Sequence, residues 1–149
     1  MFTTSSNTLS QREKKLIVAL QQAKVRRAEG LFVAEGPKLI GELLATFPCR
    51  LLVTTASFLP LVESLGQIQR VVLLPEGYDF SSLSTLRTPR PMIALLELPT
   101  PPSTSTITAP SLLLDNVQDP GNVGSILRTA DWFGCRTVFT TEGTADPFS

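Results

Sequence analysis

Histidine is absent from this sequence of 149 residues, and tryptophan and tyrosine occur only once each. Without histidine the chain lacks the side chain that most often serves as a general acid or base, and a Ser-His-Asp triad is excluded. Most zinc sites are excluded as well, because zinc is held mainly by histidine and cysteine. We therefore expect neither histidine-based catalysis nor a metal site.

Cysteine is also scarce, since only Cys49 and Cys135 are present and they lie far apart without metal-like spacing. We interpret both as small core residues of a reduced, cytosolic protein. No run of about 18 apolar residues occurs, so no membrane-spanning segment and no membrane partner are expected. The opening residues MFTTSSNTLS do not join a basic stretch to an apolar one, so they predict no secretory signal.

The net charge is zero as well, because the chain has 13 basic and 13 acidic residues. The distribution is uneven: residues 1–50 hold eight basic and four acidic residues, and residues 101–149 hold two and five. The basic excess near the N-terminus is compatible with a surface that binds a polyanion. A solvated helix face is the simpler interpretation, and charge alone favours it.

Short apolar strands alternate with helical segments through the first hundred residues. The patterns predict a polar, frayed N-terminus over 1–8, strands at 31–36, 50–55, 69–76 and 91–99, helices at 10–30 and 37–47, and weaker helical segments at 57–66 and 80–86. This alternation predicts a compact α/β domain over residues 1–98. The almost continuously apolar strands indicate a sheet covered on both faces.

A change in composition follows this domain. The segment PTPPSTSTITAP, residues 99–110, contains four prolines and no charge, which favours an extended linker over a loop lying along one domain. Residues 111–149 then predict a strand, a helix and a second strand, which form one βαβ unit. Because such a unit cannot bury both faces of its sheet, we predict that this second domain is incomplete.

The turn DPGNVGS, residues 119–125, lies between the strand and the helix of this unit. It invites comparison with a phosphate-binding loop, but the Walker lysine and the G-x-G-x-x-G spacing are missing. The simpler interpretation is a tight turn with Asn122 near the N-cap of the helix. Gly121 and Gly124 would then allow unusual backbone angles and a close approach.

An arginine stands alone on the helix after this turn, among the apolar residues Ile126, Leu127, Ala130 and Phe133. Gly124 lies four residues before Arg128, so the surface beside the guanidinium should be open. We expect this arginine to be partly buried and therefore to need a carboxylate, phosphate or carbonyl partner. The candidate carboxylates are Asp115, Asp119 and Asp131. The functional alternative is a phosphate or ribose of a nucleic acid.

The segment LLLDNVQDPGNVGSILRTADWFG, residues 112–134, resembles the first motif of the SpoU-class RNA 2′-O-ribose methyltransferases of the SPOUT superfamily. The pattern of that family, D-x-V-x-D-P-x-N-x-G-x-I-x-R-T-A-x-x-F-G, is matched from Asp115 to Gly134. GTADPFS, residues 143–149, resembles the segment that follows it. KVRRAEGLFVAEGPKLIGELL, residues 24–44, resembles the start of the substrate-binding domain, which is similar to small α/β/α ribosomal proteins that bind RNA.

The resemblance implies methyl transfer from S-adenosylmethionine to a ribose 2′-hydroxyl, in rRNA more than in tRNA. Arg128 would be the catalytic residue of the motif, and Asn122 would help to build the site. RNA contacts are expected from the N-terminal basic side chains, namely Lys24, Arg26, Arg27 and Lys38. Glu35 would support that surface or cap the following helix.

The resemblance also implies parts that these 149 residues do not contain. The motifs that bind the cofactor, the trefoil knot and most of the homodimer interface lie further downstream in the family. We therefore expect an N-terminal α/β/α RNA-binding domain followed by the start of a Rossmann-like SPOUT domain without its knot. Alone, such a chain should transfer no methyl group and bind S-adenosylmethionine weakly or not at all.

Two alternatives stay open at this point. One is a stand-alone RNA-binding module whose catalytic domain has decayed, and the intact Asn122 and Arg128 count against it. The other is a phosphate- or nucleotide-binding α/β domain that uses the glycine turn, and the missing Walker lysine counts against that.

Overall fold

The computed structural model describes residues 2–62, 64–84, 86–100 and 110–148, with side chains from Ser6 onward. The chain divides into two compact units, Met1–Pro99 and Thr100–Ser149. The predicted linker at 99–110 lies almost entirely outside the described residues. No helix in the described part of the chain is long and apolar enough to cross a membrane.

Strands and helices alternate in the first unit. Its strands are β1 (Phe2–Ser6), β2 (Leu31–Glu35), β3 (Cys49–Thr55), β4 (Ile68–Leu74) and β5 (Met92–Glu97), and its helices are α1 (Gln11–Ala19), α2 (Ala23–Glu29) and α3 (Pro37–Leu43). The segments predicted as weak helices form only single 3₁₀ turns at Leu59–Leu61 and Phe80–Ser82. The strand order is β1-β4-β3-β5-β2. β1, β4 and β3 run parallel, and β5 is antiparallel to both β3 and β2.

The N-terminus forms an edge strand, so the expectation of a frayed end was wrong. β1 pairs in parallel with β4, with Phe2 opposite Ile68 and Ser6 opposite Val72. Ladder hydrogen bonds use only main-chain groups, so a polar segment can satisfy the open edge of a neighbouring strand. Composition alone therefore could not reveal this strand.

The N-terminal helical segment is divided into two helices rather than one. Ser10 caps α1: its Oγ accepts from the amide of Glu13 at 3.2 Å, and Oε2 of Glu13 accepts from the amide of Ser10 at 2.8 Å. This reciprocal capping box satisfies two donors at the helix start. α2 ends at Gly30, whose φ of 64° is the left-handed conformation that glycine adopts easily.

The sheet is covered on both faces, as the apolar strands predict. On one face a buried cluster joins the central strands to α1, and it includes Ile17, Leu20, Leu51, Val53, Val72, Ile93 and Leu95. Alternate strand residues point to the opposite face. There Leu52 lies in register with Val71 and Ala94, and all three are fully buried. α3, whose Ile40 is fully buried, contacts β2 and β5.

The two cysteines differ in burial. Cys49 begins β3 in the core, and burial raises the pKa of its thiol to about 12. It therefore stays protonated and acts as a small apolar residue, as predicted. Cys135 is only partly buried, and its Sγ donates to the carbonyl of Pro110 at 3.2 Å. Both are free thiols.

The second unit contains the predicted βαβ arrangement. β6 (Ser111–Leu114) and β7 (Thr137–Thr140) are parallel, and α4 (Pro120–Trp132) connects them. Few side chains are buried here, since only Leu114, Val123 and Ala130 are classed as core among the described residues. A two-stranded sheet with one helix has too few layers to enclose its apolar residues.

Candidate functional site

The turn before α4 is built around Asp119. This residue is the N-cap, and its Oδ1 accepts from the amide of Asn122 at 2.7 Å. Pro120 occupies the first helical position, where its missing N–H leaves no hydrogen bond unmade. Asn122 is thus the third residue of the helix, near the N-cap as predicted, and Asp119 is the cap itself. The capping role of Asp119 leaves the side chain of Asn122 free of a structural task.

The side-chain amide of Asn122 is exposed and has no hydrogen-bond partner in the part of the chain that the structure describes. An amide can donate and accept at the same time, so it can bind a group that carries a hydroxyl or a phosphate oxygen. Asn122 and Arg128 are six residues apart on α4, which separates their Cα atoms by about 9 Å along the helix axis.

Arg128 is exposed, so the expectation of partial burial was wrong. Within the described residues it forms no hydrogen bond or ion pair, including with Asp115, Asp119 or Asp131. The physical reason is the thin packing of this unit. At the end of the same helix Trp132 is 86% exposed, so no apolar layer covers that surface. The guanidinium is therefore available to an external anion.

The surface beside Arg128 is open, as predicted from Gly124. Apart from its chain neighbours and the adjacent helix backbone, no heavy atom lies within 4 Å of the position that a Cβ on Gly124 would occupy. Side chains on a helix lean towards its N-terminus, so the arginine extends over the turn that holds Gly124 and Ser125. These small residues leave room for a bulky ligand next to the guanidinium.

A pair of threonines fixes the loop that leads into this turn. Oγ1 of Thr144 donates to the carbonyl of Leu114 at 2.9 Å and accepts from the amide of Val117 at 3.3 Å. Oγ1 of Thr141 accepts from the amide of Asn116 at 3.1 Å. The loop after β7 thereby holds the loop after β6, so that the approach to Asp119 is fixed.

Gly143 allows the two loops to come this close. A Cβ at this position would lie 2.6 Å from Oδ1 of Asn116, a distance at which one of the two groups would have to shift. Sequence reasoning did not single out Thr141, Thr144 or Gly143, although the resemblance of residues 143–149 to the family was a signal. These residues support the site without touching its exposed side chains.

The predicted RNA-binding residues divide into three groups. Lys24 and Arg27 are exposed on α2, and Lys38 is exposed on α3. Glu35 is partly buried at the end of β2. Arg26 is only 3% exposed, so it cannot contact an RNA phosphate in this structure.

Arg26 is buried because the helical segment is interrupted. The break after α1 leaves carbonyl groups that no helical N–H can satisfy. Nη1 of Arg26 donates to the carbonyls of Leu20 and Gln21, both at 2.8 Å. The prediction of Arg26 as an RNA contact is therefore corrected: the side chain stabilises the turn between two helices.

Glu35 and Lys38 line one cavity of about 490 Å³ together with Arg90, while Lys24 and Arg27 do not. Oε1 of Glu35 accepts from the amide of Arg90 at 2.9 Å, and Oε2 accepts from Oγ of Ser84 at 2.8 Å. Arg90 was not predicted, because it lies 55 residues from Glu35 in sequence. Only the pairing of β2 with β5 brings the two together.

Two segments of the chain match models of known protein families. Residues 12–94 match the MRM3-like substrate binding domain, and residues 109–149 match the SpoU rRNA Methylase family. The chain belongs to the SpoU methylase family. Arg128 and Asn122 lie in the second matched segment, whereas Glu35 and Lys38 lie in the first.

Curated relatives of this SpoU chain are rRNA methyltransferases. The 23S rRNA guanosine-2′-O-methyltransferase RlmP of Bacillus subtilis is 34% identical over 133 residues, which cover 87% of this chain and 51% of RlmP. The mitochondrial rRNA methyltransferase 3 of Xenopus laevis is 30% identical over 148 residues, which cover 91% of this chain and 34% of the relative. The chain thus spans about half the length of RlmP and about a third of the frog protein.

Solved structures show the same fold. A structure assigned to the TrmH family of RNA methyltransferases, from Porphyromonas gingivalis, has 48% identity and a TM-score of 0.87, covering 95% of this chain and 56% of that one. An rRNA methyltransferase from Sinorhizobium meliloti, solved with AdoMet bound, has 28% identity and a TM-score of 0.72, covering 99% and 57%. The predicted α/β fold and SpoU membership are therefore confirmed.

Proposed function

We propose that this chain supplies the RNA-binding domain and the arginine side of the active site of an RNA ribose 2′-O-methyltransferase. The proposal rests on the surroundings of the Arg128 and Asn122 side chains. Both side chains are exposed and have no partner within the described residues, beside a helix surface kept open by Gly124. The relatives' names point to rRNA rather than tRNA as the substrate.

The chemistry of Arg128 follows from its charge. Its guanidinium pKa is too high for the side chain to act as a free base. Two parallel N–H donors can instead hold an RNA phosphate and orient the adjacent ribose, and the positive charge stabilises the alkoxide that develops on the 2′-oxygen. Asn122 would accept from or donate to the same ribose or phosphate.

S-adenosylmethionine would supply the methyl group. We assign none of the described residues to cofactor binding, because the polar side chains available at the turn are those proposed to meet RNA. By resemblance to the family, we expect the cofactor residues and most of a homodimer interface outside the two matched segments. We accordingly propose that the enzyme is a homodimer whose cofactor is held by other residues than those described.

The first unit would hold the RNA through Lys24, Arg27 and Lys38, with Glu35 shaping the surface. Cations on this unit contribute sequence-independent affinity that falls with salt. The two free thiols suit a reducing compartment, and we propose the cytoplasm.

Methyl transfer to rRNA by the protein encoded by the complete reading frame tests this function. Arg128→Lys keeps the charge but loses the planar two-donor geometry, so we expect kcat to fall by about a hundredfold or more. Asn122→Ala should lower it by a smaller factor. Arg136→Lys is the matched control, because this exposed arginine belongs to the same unit but lies outside the turn and α4. Equal activity of the Arg128 and Arg136 variants would overturn the proposed role.

Calorimetric titration of the 149-residue chain with S-adenosylmethionine tests the division of the active site. We expect no binding in the micromolar range, since the resemblance implies that the cofactor residues lie outside the matched segments. Micromolar affinity would show that the cofactor site lies within this chain and would contradict the proposal.

A further inference from the structure

The cavity beside Glu35 has the size and chemistry of a ligand site in its own right. Its volume of about 490 Å³ lies within the range of small-molecule sites. It is bounded by Glu35, Gly36, Pro37, Lys38, Leu39, Glu42, Leu86 and Arg90. The lining combines two carboxylates, of which Glu35 has a fixed orientation, with two cations and two exposed leucines.

The carboxylate of Glu35 is held in place from both sides. One oxygen accepts from the backbone of Arg90 at 2.9 Å and the other from the hydroxyl of Ser84 at 2.8 Å. Each carboxylate oxygen has a second lone pair, so each can accept one further hydrogen bond. A carboxylate with a fixed orientation is suited to the N–H donors on the edge of a nucleobase.

Two cationic side chains, Lys38 and Arg90, line the same cavity, and their charged groups can bind a ligand. The side chains of Lys38 and Arg90 form no hydrogen bond or ion pair with any residue that the structure describes. The stem of Arg90 lies along Gly36, where an added Cβ would be 3.5 Å from Cγ of the arginine. Gly36 also has a φ of 96°, which favours glycine at this position. Both cations can bind a phosphate.

Part of the cavity lining is apolar and exposed. Leu39 and Leu86 are each 47% exposed, although they lie beside charged side chains. Pro37 extends the same apolar lining. Flat aromatic ligands bind to such apolar surfaces, because contact removes both surfaces from water. A nucleobase has this shape and carries the polar edge that Glu35 could bind.

We propose that this cavity binds a single unpaired nucleotide of the substrate RNA, with the base against Leu39 and Leu86, its edge on Glu35, and a phosphate on Lys38 and Arg90. The inference rests on the proposed RNA substrate and deepens it. An RNA duplex cannot fill such a cavity, because its bases are stacked and paired. The N-terminal unit would therefore select a loop, bulge or single strand, instead of contributing only a basic surface.

The test is fluorescence anisotropy of this chain with a labelled RNA oligonucleotide, as a single strand and annealed to its complement, across a salt series. We expect tighter binding of the single strand. The double variant Leu39→Ala and Leu86→Ala should weaken that binding about tenfold and leave duplex binding unchanged. Leu61→Ala is the matched control, since Leu61 is 57% exposed and lies outside the cavity.

The cations are tested in the same series. For the single strand, log affinity falls as log salt rises. Lys38→Gln and Arg90→Gln should each make this slope shallower by about 0.7. Arg50→Gln should not do so, because Arg50 is exposed on β3 and does not line the cavity.

Three results would overturn the inference, and they separate it from the proposed function. If the cation variants weaken RNA binding but the leucine variant does not, the surface binds phosphates without a nucleotide pocket, and the RNA function stands. The same holds if single strand and duplex bind equally well. If the chain binds neither RNA, the proposed RNA-binding domain fails together with the pocket.

Discussion

The two units share a pattern of alternating strands and helices, yet they differ in what that pattern buries. In Met1–Pro99 both faces of a five-stranded sheet are covered, and residues such as Leu52 and Leu96 are inaccessible to solvent. In the second unit two strands and one helix leave Leu113, Trp132 and Phe133 exposed. Burial therefore depends on the number of packed layers rather than on local hydrophobicity.

The difference also affects polar side chains. Arg26 in the first unit is enclosed and serves the backbone, while Arg128 in the second is exposed and free of partners within the described residues. The two arginines thus differ in environment. Arg26 binds main-chain carbonyls within the packed unit, whereas Arg128 is the side chain that we propose contacts RNA.

The largest contrast is expected from deleting leucine side chains in the two units. Leu96→Ala should lower the free energy of unfolding by about 2–5 kcal/mol, because it leaves a cavity in a closed core. Leu113→Ala should change it by less than about 0.5 kcal/mol, since that side chain is 63% exposed. Urea denaturation followed by circular dichroism measures both. Comparable losses would show that the second unit is as well packed as the first.

A smaller contrast is expected between neighbouring arginines of α2. Arg26→Ala removes the donor to the carbonyls of Leu20 and Gln21 and should cost about 1–3 kcal/mol of stability without a specific effect on RNA affinity. Arg27→Ala should be almost neutral for stability but should weaken RNA binding and its salt dependence. Denaturation and RNA-binding measurements on both variants check this. Loss of stability in the Arg27 variant and loss of RNA affinity in the Arg26 variant would contradict it.

The threonine contacts of the second unit should have a local effect. Thr144→Val removes a hydroxyl that bridges Leu114 and Val117 while keeping the shape of the side chain. We expect the amide of Val117 to exchange with solvent about fivefold faster, which corresponds to about 1 kcal/mol. Hydrogen exchange measured by NMR checks this. Thr140→Val, at an exposed position, is the control and should leave that amide unchanged.

The smallest effect is expected at an exposed carboxylate of the first unit. Hydrogen bonds from the backbone and hydroxyl of Ser57 lower the pKa of Glu76. A lowered pKa in the folded state stabilises the protein above the carboxyl's ordinary pKa, and this contribution is lost as the pH falls through the folded value. Glu76→Gln should therefore lower Tm slightly at neutral pH and not at acidic pH. A Tm difference that persists after protonation would contradict this cause.

Local signals in the sequence predicted most of the secondary structure. Ser10 and Gly30 bound the predicted helical segment at 10–30, and the turn DPGNVGS precedes a predicted helix; the structure has helix ends at each. The polar strand β1 escaped prediction because its pairing with β4 uses only main-chain groups. The break between α1 and α2 escaped it because apolar spacing continues across the interruption.

The candidate site was also predictable only where its residues are close in sequence. Arg128 and Asn122 are recognisable from a contiguous motif, whereas their exposure depends on the missing layers around α4. Arg90 and Ser84 could not be joined to Glu35, because the contacts span 55 and 49 residues. No periodicity or spacing predicts a hydrogen bond across such a distance.

The amino-acid sequence by itself determined the α/β alternation, the caps and glycines that end the helices, and the arginine and asparagine of the proposed active site. Each of these depends on neighbours within a turn or two. The tertiary structure alone decided which arginine is enclosed, which is exposed, and which distant side chains surround Glu35. Enclosure and convergence arise from strand pairing and layer packing, and those interactions join residues that are remote along the chain.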